Sequence, residues 1–334
     1  QGETEIYSMP ELWYKNKSSI NDIIGFRSKL IYARFKSNIK DSREKNKFIQ
    51  TMQEISLANK AVSTEFLLEK PARLKLHIEP NLPIIGNPAP LKRIRLEENP
   101  RIDKRVEYLT GDTELKASQG IKELYKSEAE ISHIIKILSA GMLGTRTARK
   151  LVPTRWAVTA VDDTISKELL KKIRFSPEIS ELLVFNSEYL GNHYEFLLMP
   201  DKFSFEVIEI SLKDYGIWQD CEGFFERKKY AASVTGAYYA NRLALCEYLT
   251  KIKRQASCLV LREILPEYYA PCGVGILREV SRAAFQNTPE RFQTIQEALN
   301  AIQSRTKTNV KKFQEKSILL REYKKQRRLK EFLA

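Results

Sequence analysis

The sequence predicts an α+β fold with a mainly antiparallel sheet and a C-terminal basic helix. Apolar residues recur at helical spacing in some segments and at alternate positions in others, which are the periods of helices and strands. These segments lack the regular strand–helix alternation of a parallel α/β sheet. The chain has 334 residues, 43% of them hydrophobic and 29% charged, which is an ordinary globular composition.

The first ninety residues are predicted to form a helical region that ends in a connector. Residues 20–36 have the pattern of an amphipathic helix, and residues 42–69 continue as helix. Residues 73–79 alternate with period two, as in a half-buried strand. Pro80, Pro83, Pro88 and Pro90 then predict a connector or surface lip rather than a core element.

The middle of the chain begins with helices and a basic loop. Residues 112–140 contain two helices, with Asp112 as the N-cap of the first, and the second stops at Gly141. Residues 144–155 form a basic loop, residues 156–161 a strand, and a helix starts at Thr164.

A sheet and a long helix follow. Residues 181–190, 193–199 and 203–212 read as strands, with Gly191-Asn192 as a tight turn between the first two. Residues 228–255 have the clearest helical pattern, with Gly236 inside it. Strands at 257–265 and 272–278, and helices at 280–287, 289–303 and 306–325, complete the chain. We therefore divide the sequence into regions 1–90, 91–304 and 305–334.

Several classes of protein are disfavoured by composition. No apolar run approaches the roughly 20 residues that span a bilayer, so no membrane partner is expected. The four cysteines form no Cys-x-x-Cys pair, which does not support a zinc ribbon. Cys246, Cys258 and Cys272 lie in apolar contexts, so we expect buried free thiols and a cytoplasmic location. The three histidines are far apart in sequence, and no metal site is predicted.

Positive charge is concentrated at the C-terminus. The net charge is +14, and residues 305–334 hold eleven Lys and Arg against three Glu. This distribution predicts an extended, solvated arm that is attracted to phosphates or to an acidic protein surface. A solvated helix face without a ligand is the alternative.

The densest candidate site in the body lies in residues 146–163. Arg149, Lys150 and Arg155 precede Trp156, and arginine suits phosphate oxygens while an indole ring can stack on a base. Asp162 and Asp163 could hold Mg²⁺ together with a substrate phosphate. The alternative is an internal network of ion pairs around a core tryptophan, with Asp163 capping the next helix.

A second candidate consists of two Arg-Glu dipeptides near predicted strand ends, Arg262-Glu263 and Arg278-Glu279. Neighbours in a strand point to opposite faces, so each dipeptide sends one charge each way. A buried carboxylate could act as a general base, although ion pairing is the commoner role. No catalytic triad, P-loop or dinucleotide-binding pattern is present, so catalytic residues and cofactor are left unassigned.

The last nine residues carry a recognition motif. Gln326 offers an amide, Leu329 follows three residues later, and Phe332 and Leu333 form an apolar pair. The leucine and phenylalanine fall on one face of a short helical turn, as in helical peptides that dock in a groove. The pattern resembles the PIP box, with which replication and repair proteins bind the sliding clamp, PCNA. A cap on the domain core is the alternative.

Longer stretches resemble the archaeal NreA family of DNA repair proteins. They are residues 97–102, 110–115, 138–144, 149–163, 189–192, 236–242, 254–256 and 262–268. The resemblance implies a cytoplasmic, PCNA-associated DNA repair protein, with Gln326, Leu329, Phe332 and Leu333 as the clamp motif, and with DNA and other repair proteins as candidate partners. Family members also carry a cysteine-rich, zinc-finger-like segment and a Ser-Pro-Pro-Ser-type stretch, and neither maps onto residues of this sequence.

Three functional hypotheses follow. The first is a DNA damage repair factor that PCNA recruits through the C-terminal motif. The second is a nucleotide- or nucleic-acid-processing enzyme whose core pocket uses the candidate Arg, Asp and Glu side chains. The third is a DNA-binding adaptor without catalysis, whose basic tail contacts the phosphate backbone.

Overall fold

A computed structural model describes residues 5–43, 46–72 and 86–323. Contacts divide the chain into two compact units, the first comprising Gln1–Ile165 and Ala270–Ile276 and the second Ser166–Tyr269 and Leu277–Ala334. Helices accompany one sheet of three strands and one of six, so the predicted α+β class is confirmed. The predicted regions 1–90, 91–304 and 305–334 stay a prediction.

The first unit is mainly helical. Its helices are α1 (Pro10–Lys15), α2 (Ile20–Lys29), a 3₁₀ turn (Ile39–Arg43), α3 (Lys47–Leu57), α4 (Lys104–Gly111), α5 (Ala117–Lys126), α6 (Ile131–Ser139) and the start of α7 (Thr154–Ile173). Its strands are β1 (Ile31–Arg34), β2 (Thr64–Leu68) and β3 (Asn87–Leu96), in the order β1-β3-β2. Trp13, Ile23 and Ile49 are fully buried in this unit.

The first residues of β3 were predicted to be part of a connector, but they form a strand. Ala89 and Leu91 are buried, while Pro88 and Pro90 lie on the exposed face. Strand β1 pairs with Asn87–Pro90, whereas β2 pairs only from Leu91 onward. The backbone nitrogens of alternate residues in a strand point to the same side. The nitrogens of Pro88 and Pro90, which carry no hydrogen, can therefore point to the side of β3 on which β2 has not yet begun to pair. The strand predicted at 73–79, and Pro80 and Pro83, lie outside the described residues.

The predicted helices of the first unit are too long or wrongly capped. The helix predicted at 20–36 ends at Lys29, and the helix predicted at 42–69 is limited to α3 and followed by β2. Asp112 follows α4 instead of starting a helix, and its Oδ1 accepts hydrogen bonds from the N–H groups of Glu114 and Leu115. The stop at Gly141 is confirmed, since its φ of +71° ends α6.

The predicted strand at 156–161 is wrong, because these residues lie inside α7. A short apolar run does not distinguish a strand from a buried helix by its period. The pattern over a longer stretch distinguishes the two, because Ala157, Val161 and Ile165 recur every fourth residue, as in a helix, and all are buried.

The second unit is built on a six-stranded sheet. Its strands are β4 (Leu182–Tyr189), β5 (Asn192–Met199), β6 (Ser204–Ser211), β7 (Ile217–Glu222), β8 (Ser257–Ile264) and β9 (Glu290–Phe292), in the order β7-β6-β8-β5-β4-β9. Only β6 and β8 pair in parallel, so the predicted mainly antiparallel sheet is confirmed. Its helices are α8 (Gly236–Ile252), α9 (Val274–Ala284, from Leu277), α10 (Ile295–Arg305), α11 (Val310–Lys316) and α12 (Ile318–Glu322), together with the end of α7.

Three predicted strands match β4, β5 and β6, but the elements around them differ from the prediction. The turn between β4 and β5 is centred on Leu190 and Gly191, which both have positive φ, and Asn192 already belongs to β5. Helix α8 begins only at Gly236, because Thr235 has a φ of +58° that interrupts a helix. The strand predicted at 272–278 is wrong, since α9 begins at Val274. The helices predicted at 280–287 and 289–303 correspond to α9, β9 and α10.

One face of the six-stranded sheet packs against the C-terminal helices. Apolar residues of β4, β5, β6 and β8 form a core with Leu299 and Ile302 of α10 and with Phe313 of α11, which is fully buried. The predicted extended, solvated arm is therefore wrong for residues 305–323. The helix predicted at 306–325 is also interrupted at Ser317, whose Oγ accepts a hydrogen bond from the N–H of Leu320.

Three buried carboxylates on that face bind the C-terminal segment. Glu195 accepts hydrogen bonds from Arg305 at 2.8 and 3.0 Å. Glu263 accepts from the N–H groups of Lys307 at 3.0 Å and Thr308 at 2.5 Å. Glu206 accepts from the Ser317 hydroxyl at 2.6 Å, and from the N–H groups of Ile318 at 2.9 Å and Leu319 at 3.0 Å.

The predicted buried thiols are confirmed: Cys246, Cys258 and Cys272 are buried and free. Burial raises the pKa of Cys272 to about 12, although Arg27 opposes the shift, so this thiol is unreactive near neutral pH. Within the described chain, no helix has both the length and the apolar character needed to cross a bilayer.

We expect Phe313→Ala to lower the free energy of unfolding by about 3–5 kcal/mol, because it removes a fully buried ring and leaves a cavity. Urea denaturation measures this change. Phe175→Ala, at a ring that is 91% exposed, is the control and should change stability by less than about 0.5 kcal/mol. Equal effects of the two substitutions would contradict docking of α11 on the sheet.

His193 should make stability depend on pH. Burial opposes its charge, but its hydrogen bonds to Glu195 and Glu188 outweigh burial and raise the pKa of His193 in the folded state. Glu263 is its register partner on β8, and Arg305 shares Glu195. A raised pKa stabilises the fold fully below the unfolded value of about 6.5, and this stabilisation is lost as pH rises through the folded pKa. His193→Gln should flatten that part of a stability–pH curve, and an unchanged curve would refute the assignment.

Candidate functional site

The candidate site is a pocket of about 450 Å³ in the first unit. It is lined by Ser42, Arg43, Gln53, Thr113, Gly141, Met142, Arg146 and Arg149. Three of these eight side chains are arginines, and none is a carboxylate. The lining comes from the 3₁₀ turn, α3, the segment after α4 and the segment after α6.

Hydrogen bonds fix these segments against one another. The Ser42 hydroxyl donates to the carbonyl of Arg149 at 2.9 Å. Gln53 donates to the carbonyls of Ser42 at 2.8 Å and Ala140 at 3.1 Å. The N–H of Arg146 donates to the carbonyl of Thr113 at 2.7 Å. The pocket walls are therefore preorganised, which reduces the cost of binding a ligand.

Gly141 allows two walls of the pocket to approach closely. A Cβ at this position would lie 2.7 Å from the Cβ of Ser42 and 2.8 Å from the carbonyl oxygen of Lys150. Its φ of +71° is also strained for other residues. Glycine is thus required here both by conformation and by space.

Arg149 joins three parts of the wall through its guanidinium. Nε donates to the carbonyl of Gly144 at 2.9 Å, and Nη2 donates to the carbonyls of Thr110 at 2.8 Å and Asp112 at 2.9 Å. Burial lowers the pKa of Arg149, partly offset by Asp112, but arginine stays charged because its ordinary pKa lies far above neutrality. This side chain both stabilises the loop and supplies positive charge.

Arg43 and Arg146 supply two further, exposed charges at the pocket. Among the described residues, neither makes an ion pair with a carboxylate. The Oδ1 of Asp112 is already used by two backbone N–H groups. The described lining therefore carries three guanidinium groups and no carboxylate, and guanidinium groups pair well with phosphate oxygens.

The other predicted residues of this segment are not in the pocket lining. Lys150 and Arg155 are exposed, and Trp156 is 60% exposed, with the Arg155 guanidinium 5.7 Å from its ring centroid. The indole is therefore not a core residue. Asp162 is fully buried and Asp163 half-buried, and both lie inside α7. The premise of two aspartates at a strand end was wrong, as was Asp163 as a helix cap.

Arg262 and Glu263 belong to the second unit, on neighbouring positions of β8. Arg262 donates to Glu209 at 2.5 Å and through Nε to Asn192 at 3.2 Å, while Glu263 accepts from the C-terminal segment on the opposite face. The prediction of one charge on each face is confirmed for this dipeptide. Arg278 and Glu279 lie in α9, so their placement near a strand end was wrong.

Arg43, Gln53, Thr113 and Met142 were missed by sequence reasoning. Arg43 and Gln53 lie about a hundred positions before Arg149, and no motif links the two stretches. For the described part of the chain, no group of three His, Cys, Asp or Glu side chains could hold a metal ion.

Comparison with known proteins gives a family. The model described as "Archaeal Nre, N-terminal" matches residues 1–219, and the model described as "Archaeal Nre, C-terminal" matches residues 222–332. No solved structure shows a significant match.

Three curated relatives are similar over most of their length. "DNA repair protein NreB" of Archaeoglobus fulgidus is 36% identical over 99% of this chain and 84% of its own length. "DNA repair protein NreA" of the same organism is 36% identical over 89% of this chain and 76% of its own. "DNA repair protein NreA" of Haloferax volcanii is 31% identical over 87% and 72%.

Proposed function

Because this chain belongs to the archaeal Nre family, we propose that it is a DNA repair factor that binds nucleic-acid phosphate in the arginine pocket and is recruited to the sliding clamp by its C-terminal motif. The names of the relatives support the repair role. The three guanidinium groups of the pocket support the phosphate ligand.

The single observation that carries the phosphate proposal is the absence of a carboxylate from the described lining of a pocket with three arginines. Arginines that have only a structural role usually donate hydrogen bonds to carboxylates or carbonyls, as Arg262 does to Glu209. Arg149 is used in this way by three carbonyls. Within residues 5–43, 46–72 and 86–323, Arg43 and Arg146 make no ion pair with a carboxylate, which supports an anion as their partner.

The clamp proposal rests on the sequence pattern of Gln326, Leu329, Phe332 and Leu333, which lies outside the described residues. Its support from the fold is indirect. Glu206 binds Ser317, Ile318 and Leu319, and the motif begins three residues after Tyr323, the last described residue. These hydrogen bonds of Glu206 use no residue of the motif.

The two alternatives are less well supported. The enzyme hypothesis combined Arg149, Arg155, Asp162 or Asp163, Arg262 and Glu263. Of these, Arg149 lines the pocket, whereas Arg262 and Glu263 are engaged in buried hydrogen bonds and Asp162 is buried in a helix. The adaptor hypothesis relied on a free basic tail. Deleting residues 305–325 would not test it, because this removes Phe313 from the core.

We expect Arg43→Gln/Arg146→Gln to weaken binding of duplex DNA by roughly tenfold or more at low salt. Removing two phosphate contacts should also reduce the slope of log K against log salt concentration by about 1.8. Fluorescence anisotropy at several salt concentrations measures both quantities.

Lys92→Gln/Arg93→Gln is the matched control, because these exposed residues of β3 carry the same charge and do not line the pocket. An equal loss of DNA affinity in both double variants would show that the effect depends only on net charge, and it would contradict a local phosphate site.

We expect Leu329→Ala/Phe332→Ala to abolish binding to purified clamp in calorimetric titrations. Wild type should bind in the micromolar range, about −8 kcal/mol. Lys330→Ala/Glu331→Ala is the control, since it changes two intervening residues without changing net charge. If the leucine–phenylalanine variant binds as wild type does, the motif has been misassigned.

A further inference from the structure

The loop between β7 and α8 exposes aromatic rings next to lysines. Its residues 224–230 have the sequence Phe-Phe-Glu-Arg-Lys-Lys-Tyr. Phe225 is 84% exposed, Tyr230 is 52% exposed and Phe224 is 37% exposed. Phe175, at the end of α7, is 91% exposed. All four rings belong to the second unit. The ring centroids of Phe224 and Phe225 lie 5.4 Å apart, and Tyr230 stacks on Tyr239 at 5.3 Å. Exposed apolar patches of this kind mark interaction sites.

Phe175 and the loop are connected through Arg174. The Arg174 guanidinium lies 5.6 Å from the ring centroid of Phe224 and forms an ion pair with Glu226 at 3.0 Å. The carbonyl of Arg174 accepts a hydrogen bond from the buried Gln255 at 3.3 Å. Arg174, the residue before Phe175, is thus bound to the loop through its side chain.

The loop is ordered by Arg227 and Asp220. Arg227 donates to Asp220 at 3.0 Å and to the carbonyls of Lys229 at 2.9 Å and Tyr230 at 3.2 Å. The other oxygen of Asp220 accepts from the N–H groups of Ser233 at 2.9 Å and Val234 at 2.7 Å. The backbone is therefore fixed, and the exposed rings are presented on a defined surface.

Lys228 and Lys229 set the charge of this surface. Both are exposed, and no described carboxylate forms an ion pair with either. The loop's acidic residue, Glu226, is already paired with Arg174. The aromatic cluster is therefore accompanied by two positive charges, which favours a ligand with flat rings and negative charge.

We propose that Phe175, Phe224, Phe225 and Tyr230, with Lys228 and Lys229, form a stacking platform for single-stranded nucleic acid. Unstacked bases pack on aromatic rings while lysines contact the phosphates between them. Duplex DNA hides its bases, so it offers the platform only phosphates. This inference rests on the proposed DNA repair function and specifies its substrate as a strand with exposed bases.

The test is a titration of the full chain against a labelled oligothymidylate of roughly 15 nucleotides and against a duplex of the same length. Wild type should prefer the single strand. Phe225→Ala and Phe175→Ala should each weaken single-strand binding by roughly 5- to 100-fold. Phe225→Trp should retain it, because the stacking surface is kept.

Tyr215→Ala is the matched control. Tyr215 is 85% exposed and precedes β7, whereas the platform loop follows β7, so the two aromatic sites lie at opposite ends of one strand. This variant should bind as wild type does. Lys228→Gln/Lys229→Gln should reduce the salt slope for the single strand by about 1.4.

The outcomes separate this inference from the proposed function. If the phenylalanine variants bind the oligonucleotide as wild type does, or if wild type binds single strand and duplex equally, the platform is refuted. If these variants lose affinity for the clamp instead, the surface binds protein and the inference is likewise overturned. The arginine-pocket and clamp titrations use other residues, so their results stand or fail independently.

Discussion

Hydrogen bonds from the C-terminal segment to three buried carboxylates determine how the second unit is assembled. Glu195, Glu206 and Glu263 lie on one face of the central strands, among apolar side chains. A buried carboxylate without a partner destabilises a fold by several kcal/mol. The sheet therefore requires the segment that follows α10, and Arg305 and the N–H groups after it supply the partners. The positive charge of this region is in part structural, and the proposed clamp motif follows a segment that is bound to the body.

A buried or half-buried arginine joins distant segments in each unit, and some of the stretches that resemble the Nre family meet around it. In the first unit, Arg149 joins the segments around residues 110–115 and 138–144. In the second, Arg262 binds Asn192 and Glu209 and lies 5.6 Å from the ring centroid of Tyr194. The surroundings of Arg149 and Arg262 differ in whether the arginines there form ion pairs. Near Arg149, Arg43 and Arg146 form no ion pair with a described carboxylate, while Arg262 is paired with Glu209.

Local patterns predicted some elements well. Strands β4, β5 and β6 were found because their apolar residues are bounded by clear turn signals. The errors arose where local signals conflict with distant contacts. Pro88 and Pro90 suggest a connector, but partial pairing on each side permits a strand. Residues 156–161 look like a strand until their buried spacing is followed through Ile165.

The sequence by itself determined the α+β class and the family, because these depend on local order and composition. It also supplied the pattern on which the clamp proposal rests. It also indicated Arg149 as part of a candidate site. Only the tertiary structure brought Arg43 and Gln53 to Arg149, placed Arg174 against the ring of Phe224, and showed that α11 belongs to the core. These features depend on contacts between residues far apart in the chain, and no spacing rule in a single sequence encodes such contacts.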